Sequence, residues 1–324
     1  MAATRRCSRS EAAAPHTLRP HASARGREAA MQDFEGKVAV VTGSASGIGR
    51  GLAQRFAEEG MRVVLADVEA DALAAAVSEL RDAGHEVRGE QVDVSRQESV
   101  DALAEAAFAA WGRVHVVCNN AGVAAVNDWG SLHPEGGVPM WELTLEDWRW
   151  TYGVNFWGVL HGIRAFTPLL IGQGEPAHIV NTGSVQSFQG NTSLVAYSST
   201  KFAVGRITET LQMQLRELGS PVRAHLLCPG GVATRSYLAE RNRPEELQNP
   251  DPAAGDPERA AAFARARDET GENMGRNMPP SGVAAAVIEG LRAEQFYIFS
   301  HGTDFDAQIR ARMERIIARE EPQP

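Results

Sequence analysis

Lys37-Val38-Ala39-Val40-Val41-Thr42 runs directly into Gly43-Ser44-Ala45-Ser46-Gly47-Ile48-Gly49. The first six residues are a short apolar, β-branched run bounded by glycines, which reads as a strand buried on both faces. The glycines after it permit a tight turn, close backbone approach to a phosphate, and close helix–strand packing. The helix expected over 48–59 would offer free N–H groups and a positive dipole end to a pyrophosphate. The spacing is Gly-x-x-x-Gly-x-Gly rather than Gly-x-Gly-x-x-Gly, and a purely structural turn is the alternative.

Working outward, the same alternation repeats. Strands are expected at 62–67, 86–93, 114–119, 178–183, 222–228 and 295–300, and helices at 69–83, 97–111, 145–170, 197–219, 281–293 and 303–319. Strands alternating with helices at this spacing predict an α/β fold: a single doubly wound Rossmann domain with a seven-stranded, mainly parallel sheet flanked by helices. Ser281 is the expected N-cap of the helix over 281–293. Residues 127–140 read as a polar loop containing Gly130, Pro134, Gly136, Gly137 and Pro139. Residues 235–280 are charged and proline-bearing, with helical potential over 257–269, and suit a lid over a substrate. No internal repeat or linker divides residues 31–324 into two cores.

Composition bounds the function. The chain has 324 residues, 43% hydrophobic and 23% charged, which is ordinary for a soluble globular protein. Its net charge is −9; the first thirty residues contribute +4, leaving −13 for the rest. An acidic body argues against nucleic acid or an anionic membrane as the main partner. No run approaches the length of a membrane span. Cys7, Cys118 and Cys228 are far apart, with no CxxC and no metal-ligand spacing, so free thiols, no metal and a cytoplasmic location are expected. Residues 1–30 lack the apolar core of a secretory signal. They read as a disordered basic tail, with Met31 as the working start, although their composition also suits a transit peptide.

Two details point to chemistry. Asp67 ends the second expected strand, 18 residues after Gly49, where an acid would accept hydrogen bonds from the adenosine ribose hydroxyls. It would repel a 2′-phosphate, and the next residues, Val68 and Glu69, bring no cation, so NAD is favoured over NADP. The other detail is Tyr197-Ser198-Ser199-Thr200-Lys201. Lys201 is one of two lysines against thirty arginines, and it lies four residues after a tyrosine. On a helix the two share a face.

Taken together, TGSASGIG (42–49), VDV (92–94), NNAG (119–122), VN (154–155), GS (183–184), YSSTK (197–201) and PGGVAT (229–234) occur in order. The chain from about 34 to 231 resembles the short-chain dehydrogenase/reductase family. The resemblance implies a catalytic set of Asn155, Ser184, Tyr197 and Lys201. It places Gly43, Ser44, Ser46, Gly47, Ile48 and Gly49 on the cofactor, Asp93 and Val94 beside the adenine, and Asn120, Ala121 and Gly122 under the adenosine ribose. Pro229, Gly230, Val232 and Thr234 would flank the nicotinamide. Tyr197 would move the proton while the cofactor moves the hydride. Its pKa, ordinarily near ~10, would be lowered by the Lys201 ammonium and the positive nicotinamide. Lys201 would also hold the nicotinamide ribose, Ser184 the substrate oxygen, and Asn155 a water behind Lys201.

The implied reaction is hydride transfer between NAD(H) and a secondary alcohol or ketone. An NADP-dependent carbonyl reductase is the alternative, and a nucleotide-binding regulator is a further one. A homotetramer or dimer is implied by resemblance, packed through the helices near 148–170 and 197–218. Trp129 and Tyr237 are candidate pocket residues, whereas Trp148, Trp150 and Trp157 are expected to pack helices. His161, His178 and His225 are not spaced as a metal site.

Overall fold

The computed structural model describes residues 31–134, 137–190, 192–251 and 253–323. The expectations for residues 1–30, for Cys7 and for Gly136 lie outside the described residues. The sheet has seven strands in the order β3-β2-β1-β4-β5-β6-β7. They are β1 (Val38–Thr42), β2 (Arg62–Asp67), β3 (Val87–Gln91), β4 (Val116–Asn119), β5 (Ala177–Thr182), β6 (Val222–Cys228) and β7 (Tyr297–Phe299). Every pairing is parallel.

The apolar runs lie in the middle of the sheet because both of its faces are covered. Ala39 and Val41 of β1 face a layer containing Leu52, Phe56, Leu73, Val283 and Val287. These come from α1 (Gly47–Glu58), α2 (Ala70–Asp82) and α8 (Pro280–Arg292). Val38 and Val40 face the other layer, with Val100, Leu103, Phe166, Leu211 and Leu215. These belong to α3 (Gln97–Trp111), α5 (Gly158–Gln173) and α6 (Val195–Glu217). Strand order reverses between β1 and β4, which opens a crevice at the C-terminal ends of the strands.

Three expectations change. The helix expected over 145–170 is α4 (Leu145–Tyr152), a π-helical turn at Gly153–Trp157, and α5. Such turns are concentrated at functional sites, and Asn155 lies at the centre of this one. Ser281 is not a cap: α8 starts at Pro280 behind Pro279, since proline at the first helical position has its φ already set. Residues 235–280 are more ordered than their composition implies. They hold short 3₁₀ turns at Ser236–Asn242 and Glu245–Leu247 and the 19-residue α7 (Pro257–Gly275). α9 (Asp306–Ala318) closes the chain.

Candidate active site

One cavity of about 640 Å³ occupies the crevice. Its rim follows the strand ends: Gly43 after β1, Asp67 on β2, Asp93 after β3, Asn120 after β4, Ser184 after β5 and Pro229 after β6.

The glycine loop is shaped for a ligand that needs backbone. Gly43 and Gly47 have φ of 66° and 55°. A Cβ on Gly43 would lie 2.7 Å from the Ala121 Cα, and one on Gly47 would lie 3.3 Å from the Thr234 methyl. A Cβ on Gly49 would overlap the Gly43 carbonyl oxygen, so Gly49 lets α1 pack on the loop and does not itself line the cavity. Ser46 caps α1 without a side-chain hydrogen bond, leaving the N–H groups of the first turn to the cavity. Asp67 is buried, its Oδ2 accepting from the Ala45 N–H (2.9 Å) and its Oδ1 from the Glu69 N–H (3.1 Å). A glycine cradle, an open helix N-terminus and a fixed carboxylate one strand away fit a dinucleotide.

Gly43→Ala tests the cradle. The left-handed conformation costs a non-glycine residue about 1–2 kcal/mol, and overpacking adds about 1–3 kcal/mol. Affinity for NADH, followed by its fluorescence, is expected to fall at least about tenfold, with a lower melting temperature. An unchanged dissociation constant would remove Gly43 from the binding surface.

Ser46, Gly47, Ile48, Asp67, Asp93, Val94, Asn120, Ala121, Gly122, Pro229, Gly230, Val232 and Thr234 line this cavity, as do Ser184, Tyr197 and Lys201. Ser44 does not. It is fully buried, and its N–H and hydroxyl both donate to the Ala66 carbonyl at 3.2 Å. Asp93 accepts from the Ser95 N–H (2.9 Å) and hydroxyl (2.7 Å), which fixes the turn after β3.

The floor of the cavity lies at the end of β5. The Ser184 hydroxyl reaches the Pro229 carbonyl at 3.4 Å, and its side chain lies close enough to Tyr197 to favour the phenolate. Lys201 Nζ donates to the Thr182 carbonyl at 2.8 Å and sits 5.4 Å from the centre of the Tyr197 ring. Burial raises the Tyr197 phenol above its ordinary value, and Ser184 pulls it back. Burial also pushes Lys201 down to about 8. The lowering expected from Lys201 together with the positive nicotinamide has this desolvation to overcome.

Asn155 differs too. It is fully buried, its Oδ1 accepting from the Val123 N–H and its Nδ2 donating to the Val123 carbonyl, both at 2.8 Å. Nδ2 also donates to the Thr200 hydroxyl (3.2 Å). Only one lone pair on Oδ1 remains for the expected water, and the side chain chiefly clips the segment after β4 to the π turn.

Trp129 lines the cavity, and so does Trp150, which packs with Val123, Ala125 and Ala239 as well. Tyr237 does not; its hydroxyl lies against Gly271 of α7. Val123, Ala124, Val154, Leu194, Ala239 and Leu247 make the remaining wall largely apolar. His178 and His225 form a buried pair in the sheet (2.8 Å), with His225 Nδ1 on the Gln295 carbonyl (2.6 Å). Burial lowers both, so they remain neutral. Among the described residues no group of three His, Cys, Asp or Glu side chains is placed to hold a metal, and no helix is long and apolar enough to cross a membrane.

Sequence reasoning missed several contributors. Arg243 is almost fully buried, donating to Asp147 Oδ1 (2.8 Å) and the Leu247 carbonyl (2.6 Å), with its guanidinium over the Trp150 ring. Asp147 completes a capping box with Thr144 and accepts from Asn249 (2.8 Å) and Asn127 (3.1 Å). At the other end, Arg241 and Asn242 donate to the Glu69 carboxylate, two residues beyond Asp67. The Thr144-x-x-Asp147 spacing was a readable signal; nothing local pointed to the arginines.

The short chain dehydrogenase family matches residues 37–245. The 1-deoxy-11-beta-hydroxypentalenate dehydrogenase of Streptomyces exfoliatus is 37% identical over 276 residues, 85% of this chain and 86% of that one. A short chain dehydrogenase/reductase from Burkholderia phymatum, solved in complex with NAD, is 41% identical with a TM-score of 0.79, covering 90% of this chain and 98% of that one. An alcohol dehydrogenase from the archaeon Thermococcus sibiricus, complexed with 5-hydroxy-NADP, is 26% identical with a TM-score of 0.59, covering 80% and 91%.

Proposed function

We propose, for a chain that belongs to the short-chain dehydrogenase/reductase family, a reaction between NAD(H) and a secondary alcohol or ketone in which Tyr197 moves the proton. The chain is an NAD(P)-dependent oxidoreductase acting on CH–OH groups. One observation carries the finer reading: Tyr197, Ser184 and Lys201 meet on the floor of the cavity that also holds the glycine loop and Asp67.

Gly43, Ser46, Gly47 and Ile48 would hold the cofactor's pyrophosphate, and Asp67 the adenosine ribose. The cofactor, when bound, accepts or supplies the hydride and in its oxidised form brings a positive charge that favours phenolate. Ser184 would donate to the substrate oxygen, and Tyr197 would take the alcohol proton in oxidation or return it in reduction. Lys201 has spent one of three donors on Thr182, leaving two for the nicotinamide ribose and the phenol side. Asn155 would keep Val123 and the π turn in register beneath them.

The apolar wall suits a fairly apolar alcohol. 1-Deoxy-11-beta-hydroxypentalenate, named for the Streptomyces relative, belongs in the screen of alcohols and ketones that tests this reading. The exposed apolar side chains Trp157, Leu169 and Met213 on α5, α6 and the π turn accord with a homo-oligomer built across those helices. The buried free thiols Cys118 and Cys228 accord with a cytoplasmic setting.

The fixed Asp67 carboxylate favours NAD. A second reading, NADP, draws on Arg235 and Arg241, which line the same end of the cavity; Arg241, however, already meets both oxygens of Glu69. With any substrate from the screen, kcat/KM for NAD is expected to exceed that for NADP by at least about tenfold. The opposite order would assign the rim arginines to a 2′-phosphate and retire the Asp67 argument.

A further inference from the structure

α6 begins without a cap of its own. Its N-cap position is Leu194, in the left-handed conformation with φ 55°, and no side chain there accepts a hydrogen bond. The first N–H groups of a helix have no intrahelical partner, and Tyr197 stands in this first turn. The acceptors come from Asp128, 69 residues away from Tyr197 in sequence. Its Oδ2 accepts the Tyr197 N–H at 2.9 Å and its Oδ1 the Ala196 N–H at 3.2 Å. Its backbone carbonyl accepts the Leu194 N–H at 2.7 Å. The residue is 3% exposed.

We propose that Asp128 is a positioning residue for the reaction: by capping α6 from outside the helix, it fixes where the Tyr197 phenol stands relative to Ser184. This rests on the reading of Tyr197 as the acid/base. Three features carry it. The two carboxylate oxygens are divided between adjacent N–H groups, so the carboxylate sets the tilt of the first turn as well as its satisfaction. The same residue holds the backbone of Leu194, whose side chain lines the cavity, and precedes Trp129, which lines it as well. The turn at Val126–Asp128 also meets the cover, the segment over 235–280 expected to act as a lid, where the Val126 N–H donates to Glu240 Oε1 at 2.8 Å. One short turn thus touches the cover, the apolar wall and the backbone of the acid/base. Burial raises the Asp128 carboxyl above the usual range, and the N–H groups of Tyr197, Ala196 and Val195 oppose that shift.

The test compares Asp128→Ala, Asp128→Asn and Tyr197→Phe as full-length proteins, with kcat expressed per NADH-binding site titrated by fluorescence. Misplacement of a reacting group by about 1 Å costs about 10²-fold in rate. Asp128→Ala is expected to lose about 10–100-fold in kcat per site, with the NADH dissociation constant unchanged within about twofold. Asp128→Asn keeps one acceptor oxygen and is expected to fall between wild type and alanine. In a Tyr197→Phe background, Asp128→Ala should remove little further activity, because groups acting as a unit are not additive. A purely structural cap would reduce the number of NADH-binding sites and leave kcat per site normal, which overturns the proposal. If the alanine variant does not fold, wild-type kcat per site in Asp128→Asn overturns it equally. Retained activity in Tyr197→Phe sinks the acid/base reading itself, whereas an inactive Tyr197→Phe beside a fully active Asp128→Ala sinks only the role of Asp128.

Discussion

Tyr197→Phe is expected to lower kcat by about 10²–10⁴-fold, the range general acid–base catalysis contributes, while leaving NADH affinity within about threefold of wild type. The substitution removes one oxygen and keeps the ring that packs beside Lys201. The wild-type pH profile should carry the signature of the same group. Oxidation of an alcohol needs the phenolate, so its kcat/KM should rise with pH until the phenol is deprotonated; reduction of a ketone needs the phenol and should fall over the same interval. Because burial raises the phenol, these limbs lie on the alkaline side unless the positive charge of the oxidised cofactor draws the oxidation limb down. Lys201, pushed to about 8, holds its proton through neutral pH and gives it up at higher pH, so the oxidation profile should fall above that pH where the cofactor's charge has drawn the phenol limb below it. Steady-state rates against pH in both directions check this, and a Tyr197→Phe enzyme that keeps the wild-type profile contradicts the assignment.

Arg243→Ala is expected to produce the largest loss of stability. Arg243 and Asp147 have side-chain exposures of 2% and 0%, and they face each other at 2.8 Å. Removing one member of a buried pair leaves the other charge uncompensated, at about 3–5 kcal/mol. Asp147 would keep its contacts with Asn249, Asn127 and Thr144, which sets the loss toward the lower part of that range. The cover also loses the Arg243 bond to the Leu247 carbonyl and its contact with Trp150, so KM for the alcohol should rise more than KM for NAD. Urea unfolding with and without saturating NADH measures the first effect and initial rates the second. The double variant Asp147→Asn/Arg243→Met sharpens the test: it removes both charges and keeps one acceptor oxygen for the Asn127 and Thr144 donors. It should recover part of the stability; a double variant no more stable than Arg243→Ala would mean that the cost is not an orphaned charge.

The parts of this molecule that were readable from sequence are those whose cause is local. KVAVVT and RVVLAD announced buried strands because a sheet covered on both faces selects continuous apolar runs. Tyr197 and Lys201 were visible because one helix turn separates them. β3 was harder to delimit, since Val87–Gln91 lies at the sheet edge and alternates with charge. Ser281 misled because the helix answered to the preceding prolines rather than to its hydroxyl. Asn155 was placed by resemblance, and its clip on Val123 is a tertiary contact that no helical pattern encodes. Asp128 and Arg243 were invisible for the same reason: each is an ordinary polar residue in a loop whose partner lies 69 or 96 residues away. The burial that raises the Tyr197 phenol was not legible, because sequence shows the neighbouring charge and not the depth at which the phenol lies.

The fastening of the segment after β6 has a bearing on how the chain comes together. Glu69 meets Arg241 across 172 residues, and Asp147 meets Arg243 across 96. Closing such spans costs chain entropy before any contact rewards it. β1 to β5 and the head of α6, by contrast, already bring Ser184, Tyr197 and Lys201 to one end of the sheet. As the chain emerges from the ribosome, Ser184, Tyr197 and Lys201 can assemble beside the wall of Val123, Trp129, Trp150 and Val154 before Ala239 and Leu247 have been synthesised to complete it. Ser184, Tyr197, Lys201 and most of the apolar wall thus belong to the first two thirds of the chain, and the last third adds Ala239, Leu247 and the arginine fastenings beside them.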